Sequence, residues 1–283
     1  MPNTEDFIVE DDGLPMDEVG SWTEDKYRLV GLYDHLFSRG MKRKWDLRVY
    51  IDLYAGSGFS RVQGTRRILK GSPLIALGVA DPFDGYVFCE SSSKRIAALR
   101  QRVERLFPAR DVSLVEGDCN EKVHDILRLI PQSSPTNSVL SLCFVDPYDL
   151  SIRFSTIRQL STSRMDFLFL LALDMDANRN EEHYSDQLNP KIDDFLEKKD
   201  WREQWKKKKA QGLRFPQFLA EEFSTCMESI GYLPQPFYRM KHVRSDLRNL
   251  PLYHLALFSR HDRAYKFWDE VLTWSTDQRS FEF

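Results

Sequence analysis

Four short apolar runs in the first half of the chain each end in residues able to do chemistry. Tyr50-Ile51-Asp52-Leu53-Tyr54-Ala55-Gly56-Ser57-Gly58 reads as a strand closed by an acid and a turn with two glycines. A residue without Cβ tolerates positive φ and lets a ligand press against the backbone. Tyr86-Val87-Phe88-Cys89-Glu90 ends in a carboxylate placed to accept both hydroxyls of a ribose. The plainer reading of Glu90 is an acid favoured by the dipole of the helix that follows. Val112-Ser113-Leu114-Val115 runs into Glu116-Gly117-Asp118-Cys119. There Asp118 can hydrogen-bond an adenine amino group and Cys119 can offer its backbone N–H; an ordinary turn is the alternative. Val139 to Val145 is apolar throughout, as a buried central parallel strand should be, and ends in Asp146-Pro147-Tyr148.

The first turn excludes two common phosphate sites. A dinucleotide fingerprint needs a third glycine three residues after Gly58, and Arg61 stands there. No Gly-Lys-Ser/Thr closes the turn, so a P-loop is excluded as well. The stretch from Gly64 to Gly71 is polar, basic and loop-like, and the next helix is expected at Ser72-Pro73, with Ser72 as N-cap and Pro73 at the first position.

Gly-Ser-Gly, Glu, Gly-Asp and Asp-Pro-Tyr at successive strand ends resemble the class I S-adenosylmethionine-dependent methyltransferases. Asp52 to Gly58 is similar to the first motif of enzymes that methylate exocyclic nitrogens of nucleic acid bases, and Asp146-Pro147-Tyr148 to a shortened form of their Asp-Pro-Pro-Tyr motif. A closer likeness is to the bacterial three-Cys-motif partner family (TcmP). It is carried by Trp22 to Lys26, Tyr33, Tyr50 to Gly58, Lys70 to Leu77, Phe144 to Tyr148, Asp174-Met175-Asp176 with Arg179-Asn180, and Leu252 to Leu255, so it spans about Trp22 to Trp268.

The resemblance implies an α/β fold: a Rossmann-like class I methyltransferase sheet, mostly parallel with a late antiparallel strand, plus a helical insertion. It implies S-adenosylmethionine held by Asp52, Tyr54, Ala55, Gly56, Gly58, Ser72, Glu90, Asp118 and Cys119. It also implies Asp146, Pro147 and Tyr148 at the reacting amine, Asp146 and the Pro147 carbonyl accepting from it and Tyr148 stacking on the base. Only Pro147 separates acid from aromatic here, where the motif normally has two residues, which moves the ring and one acceptor. The rival expectation is a non-catalytic cofactor- or nucleic-acid-binding subunit beside a radical-type three-Cys-motif protein.

The elements that must position these residues follow from pattern. Glu24 to Met41 reads as an amphipathic helix with Tyr27, Leu29, Val30, Leu32, Tyr33, Leu36 and Phe37 on its apolar face. Lys26 on it is expected at the surface, with the cofactor or acceptor pocket as the alternative. Met165 to Leu173 fits a fifth strand delivering Asp174, Asp176 and Arg179, which can clamp a substrate or simply cap a loop. From Glu181 to about residue 230 the composition changes to that of a helical insertion. Trp201 and Trp205 share one helix face there, ahead of Lys206 to Lys209. The tryptophans are expected to dock the helix, while Lys206 and Lys207 are candidates for nucleic acid phosphate. Strands at Phe237–Val243 and Leu252–Phe258, separated by a polar loop with Arg244, Asp246 and Arg248, and a helix at Ala264–Trp274 finish the pattern. His242 and His254 are expected as strand residues and not as bases.

Bulk composition fits one large α/β domain from residue 21 to 283, preceded by a flexible or surface-draped acidic segment, residues 1–20. With 40 basic and 43 acidic residues the formal net charge is −3, so nucleic acid binding would need a local basic patch. Cys89, Cys119, Cys143 and Cys226 are scattered singly, which argues against zinc, iron–sulfur and disulfide frameworks, and no metal is expected. Residues 1–20 lack the apolar core of a signal peptide, so a cytoplasmic location is the expectation.

Overall fold

The computed structural model describes residues 7–244 and 251–277; Asp246 and Arg248 lie outside the described residues. Two short strands, β1 (Ile8–Val9) and β2 (Asp17–Val19), precede helix α1 (Thr23–Met41). Then follow β3 (Leu47–Asp52), β4 (Phe59–Val62), β5 (Ile68–Lys70), α2 (Ser72–Leu77), β6 (Gly85–Glu90), α3 (Ser93–Leu106), β7 (Val112–Glu116) and α4 (Val123–Leu129). The second half holds β8 (Val139–Val145), α5 (Phe154–Leu160), β9 (Met165–Leu171) and a π-helical turn (Leu173–Ala177). Helices α6 (Glu181–Ser185), α7 (Lys191–Leu196), α8 (Trp201–Ala210) and α9 (Phe215–Ser229) make the insertion, and β10 (Lys241–Arg244), β11 (Pro251–Phe258) and α10 (Asp262–Asp277) complete the described chain.

Among the described residues, seven strands form one sheet in the order β10-β11-β9-β8-β3-β6-β7. The run from β9 to β7 is parallel, while β11 is antiparallel to both β9 and β10. This is the mostly parallel sheet with a late antiparallel strand expected of a Rossmann-like methyltransferase fold. Strand order reverses at β3, which lies between β6 and β8, and ligands of open α/β sheets bind at such a switch point outside the carboxyl ends of the strands.

β8 and β9 are buried along their whole length, because helices cover both faces of the sheet. Helices α1, α2 and α10 pack on one face, and α4, α5, α7, α8 and α9 on the other. In α1 the positions Lys26, Val30, Tyr33 and Phe37 recur every three to four residues and are all buried, so the helix presents one stripe to the sheet.

Four expectations are corrected. The stretch from Gly64 to Gly71 is not a simple loop: β5 within it pairs antiparallel with β4, because Phe59, Val62, Ile68 and Leu69 bury their side chains. Ser72 is the first residue of α2 and Gly71 its N-cap, the Ser72 hydroxyl being donated instead to Asp52. In the acidic N-terminal segment, expected as flexible or draped over the surface, Ile8–Val9 and Asp17–Val19 are strands. β1 pairs with β5 and β2 with β4, giving a small sheet in the order β1-β5-β4-β2. Residues 237–239, expected as strand, form a 3-10 turn before β10. No described helix is long and apolar enough to cross a membrane.

Candidate functional site

A cavity of about 730 Å³ lies at the carboxyl ends of β3, β6, β7 and β8, within the size range of small-molecule sites. Its floor is the turn after β3. Gly56 (φ +62°) and Gly58 (φ +87°) both occupy the left-handed region that side chains disfavour. A Cβ on Gly58 would sit 2.9 Å from Leu99 Cδ1, so that glycine is required by packing. A Cβ on Gly56 would meet nothing within 4 Å, leaving a bare backbone face against which a ligand can lie.

Asp52 is not in the cavity wall. It is fully buried beneath the turn, accepting from the Tyr54 N–H at 3.1 Å and from the Ser72 hydroxyl at 2.6 Å. Its expected contact with cofactor is therefore corrected to support of the turn, because both oxygens point to neighbours within the protein. Burial pushes its pKa up to about 7, against the opposing pull of those two hydrogen bonds. Tyr54, Ala55, Gly56, Gly58 and Ser72 all line the cavity.

Glu90 lines it too, with little exposure. One carboxylate oxygen accepts from the Gly56 N–H at 3.0 Å, and the other accepts from the Ser92 N–H at 2.8 Å. The acid at the end of β6 thus braces the glycine turn of β3 across the sheet, while each oxygen keeps further lone pairs for hydroxyl donors. Asp118 is exposed at the end of β7, its Oδ1 accepting from the Asn120 N–H at 2.8 Å. Cys119 beside it is buried, and burial raises its thiol to about 11, so it acts as a neutral wall.

Across the cavity stand Asp146, Pro147 and Tyr148 from the end of β8. Asp146 Oδ2 lies 2.8 Å from Lys26 Nζ, with both side chains nearly buried. Lys26, expected at the surface, is corrected to a cavity residue. Burial alone would lower its pKa, but the Asp146 carboxylate beside it holds it above the usual value. Tyr148 is 80% exposed and stands at the mouth.

The remaining candidates lie elsewhere. Asp174 and Arg179 do not line this cavity; Met175, between them, does. Asp174 Oδ2 sits 3.5 Å from His254 Nδ1, and His254 Nε2 contacts His242 Nε2 at 3.1 Å. Burial lowers the His254 pKa to about 3, so its imidazole is neutral and its contact with Asp174 is no ion pair. Arg179 is exposed on the loop after the π-helical turn. Lys206 borders a separate cleft of the insertion with Glu181, Asp193 and Arg202, and Lys207 is exposed on α8. Trp201 and Trp205 are buried, their indole N–H groups donating to Asp193 at 2.6 Å and Glu181 at 3.1 Å. The tryptophans dock the helix, as expected.

Sequence reasoning gave no site role to Asp17, Glu18, Trp22, Arg95 and Tyr253, all of which line the cavity, although Trp22 and Tyr253 fall in stretches that carry the resemblance. Only Lys26 carried a legible signal, a cation in register with the buried stripe of α1.

No family model and no curated protein matches this chain. Among solved structures it is similar to protein LPL1258 from Legionella pneumophila (10% identity, TM-score 0.48, covering 88% of this chain and 92% of that one). It is also similar to TYW2 of M. jannaschii in complex with AdoMet (9%, TM-score 0.41, 90% and 86%) and to cofactor-bound Rv0187 from MTB (13%, TM-score 0.45, 84% and 80%). The fold assignment stands on the strand order described above.

Proposed function

We propose that the chain is an S-adenosylmethionine-dependent methyltransferase acting on an exocyclic amine of a nucleic acid base. The observation that carries this reading is the meeting of four strand ends at one cavity: the open face of Gly56, Glu90 and Asp118 on one side, and Asp146 on the other. The residues fit the cofactor. Gly56 offers bare backbone to an aminoacyl tail, Glu90 accepts from ribose hydroxyls, and Asp118 with the Cys119 N–H reaches an adenine edge. When bound, the cofactor supplies a methyl group made electrophilic by its positively charged sulfur. Lys26 holds Asp146 by Oδ2, so Oδ1 is the oxygen offered to an amine, with the Pro147 carbonyl as the second acceptor. Those two bonds orient the nitrogen lone pair and stabilise the charge that develops on it. Tyr148 at the mouth offers its ring to a base taken out of its stack. Lys206 and Lys207 are the proposed contacts to phosphate.

A second reading is a non-catalytic cofactor- or nucleic-acid-binding subunit working with a radical-type three-Cys-motif protein. Its support is the exposure of Tyr148 together with the single residue between acid and aromatic. Titration calorimetry with S-adenosylmethionine and S-adenosylhomocysteine, with Glu90→Ala as control, tests the cofactor site. Methyl transfer to RNA and DNA, with Asp146→Ala as control, separates the readings. Binding without turnover favours the subunit; turnover that survives Asp146→Ala removes Asp146 from the mechanism.

A further inference from the structure

The acidic segment ahead of α1 forms part of the cavity wall. β2 runs parallel to β4, with Asp17 opposite Ser60 and Val19 opposite Val62, and Asp17, Glu18, Gly20 and Trp22 face the cavity. Two arginines of α3, seven residues and therefore about two helical turns apart, tie this strap to the site. Arg95 reaches Asp17 at 2.8 Å and stands 3.8 Å from Glu90 Oε1. Arg102 is wholly buried. Its Nε and Nη2 donate to the two carboxylate oxygens of Asp12 at 2.9 and 2.7 Å, and Nη1 donates to the Pro15 carbonyl at 3.0 Å. The same Nη1 donates to the Ser57 carbonyl at 2.7 Å, and the guanidinium lies over the Phe59 ring at 4.3 Å.

Ser57 is the residue between the two glycines of the turn. A buried cation costs several kcal/mol of desolvation unless its donors are satisfied, and a planar fork satisfies a carboxylate and carbonyls together where a lysine cannot. One guanidinium thereby fixes the strap and the peptide on which the cofactor is proposed to rest.

We infer that Arg102 is a positioning residue that locks the N-terminal strap, residues 11–20, to the Gly56–Gly58 turn, so that a ligand seated on the turn also holds the strap closed. The inference rests on the reading of this cavity as a cofactor site. By linkage, opening the strap fully must weaken the ligand by the factor by which the ligand tightens the strap, and partial opening by less.

The experiment is hydrogen exchange of the amides in residues 8–20 of the full chain, with and without saturating S-adenosylhomocysteine, alongside calorimetry of Asp12→Asn. Arg105→Ala serves as control, because it removes only the exposed partner of Asp12. The ligand is expected to slow strap exchange about tenfold in the wild type, equivalent to about 1.4 kcal/mol. Asp12→Asn should weaken ligand binding by about the same factor. Arg105→Ala should change it less than about twofold. Wild-type affinity in a folded Asp12→Asn, or strap exchange in the wild type that ignores bound ligand, overturns the coupling. Should Asp12→Asn not fold, the wild-type exchange alone decides. No binding of S-adenosylhomocysteine to the wild type overturns the cofactor reading itself, and the coupling with it.

Discussion

Lys26 Nζ lies 2.8 Å from Asp146 Oδ2, joining the first long helix to the end of β8 across 120 residues of chain. Side-chain exposures of 11% and 16% mean that neither charge can be deleted without stranding the other in a poorly solvated place. The ammonium also lies 4.7 Å from the Tyr27 ring centroid, which fixes its position from the other side.

Lys26→Met should therefore act on the acceptor half of the site. Asp146 would lose the partner that sets its orientation, and misplacing one hydrogen-bond acceptor at a reacting atom costs about 10²-fold in rate. The expected result is a fall of about that size in kcat/KM with cofactor affinity changed less than threefold, about 0.7 kcal/mol. Parallel calorimetry and transfer kinetics read the two separately. Equal loss in both would place Lys26 in the cofactor site instead.

The two glycines of the turn should respond differently to a methyl group. Gly58→Ala puts Cβ 2.9 Å from Leu99 and 3.2 Å from Leu74 at φ +87°, so strain and overpacking combine to destabilise the fold by about 2–4 kcal/mol. Gly56→Ala meets open space and carries only the backbone term of about 1–2 kcal/mol. Its larger effect should be on S-adenosylhomocysteine binding, since the added methyl stands where the ligand would lie. Urea unfolding and calorimetry on the two variants give the comparison, and equal binding by Gly56→Ala would move the ligand off this face.

The parallel sheet was legible because each strand is a run of apolar residues ended abruptly by a polar one, and Glu90, Asp118 and Asp146 stand at those ends. The hairpin β4–β5 was hidden by Arg61, Gln63, Arg66 and Arg67, whose polarity masks the buried Phe59, Val62, Ile68 and Leu69. Strands of two or three residues such as β1 and β2 have no period to detect. What orders the segment around them is Arg102, 90 residues from Asp12, and no local pattern encodes such a pair. Lys26 and Asp52 were misplaced for the same reason: a charge on an apolar face is understood only through its distant partner.

Asp52 should leave a mark on the pH dependence of stability. Its folded pKa of about 7 lies above the ordinary carboxylate value, so the native state binds the proton more tightly than the unfolded chain. That stability is fully present below about pH 4 and is lost as pH rises through about 7. Asp166, also buried and raised to about 7, contributes in the same sense. Asn at position 52 cannot ionise. Asp52→Asn is therefore expected to flatten the loss of stability between pH 5 and 8 by about 2–3 kcal/mol. Chemical denaturation at several pH values measures this; an unchanged slope would mean that Asp52 is ionised throughout.

Helix α8 offers the sharpest test of the proposed acceptor. Trp201 and Trp205 bury their rings against α9 and give their N–H groups to Asp193 and Glu181, so the helix is anchored by one face. Lys209 is engaged by Glu181 at 2.6 Å, while Lys206, Lys207 and Lys208 project from the exposed face. A polynucleotide whose base enters the cavity needs cations under its backbone, and a net charge of −3 supplies none globally. Each phosphate contact made by a lysine contributes about 0.7–0.9 to the slope of log affinity against log salt. Reversing Lys206 and Lys207 to Glu should lower that slope by about 2 and weaken RNA or DNA binding at low salt. S-adenosylhomocysteine binding and the thermal midpoint should stay unchanged, because neither lysine is buried or lines the main cavity. An unchanged slope with full binding would show that nucleic acid approaches by another face, and α8 would then be only the buttress its tryptophans make it.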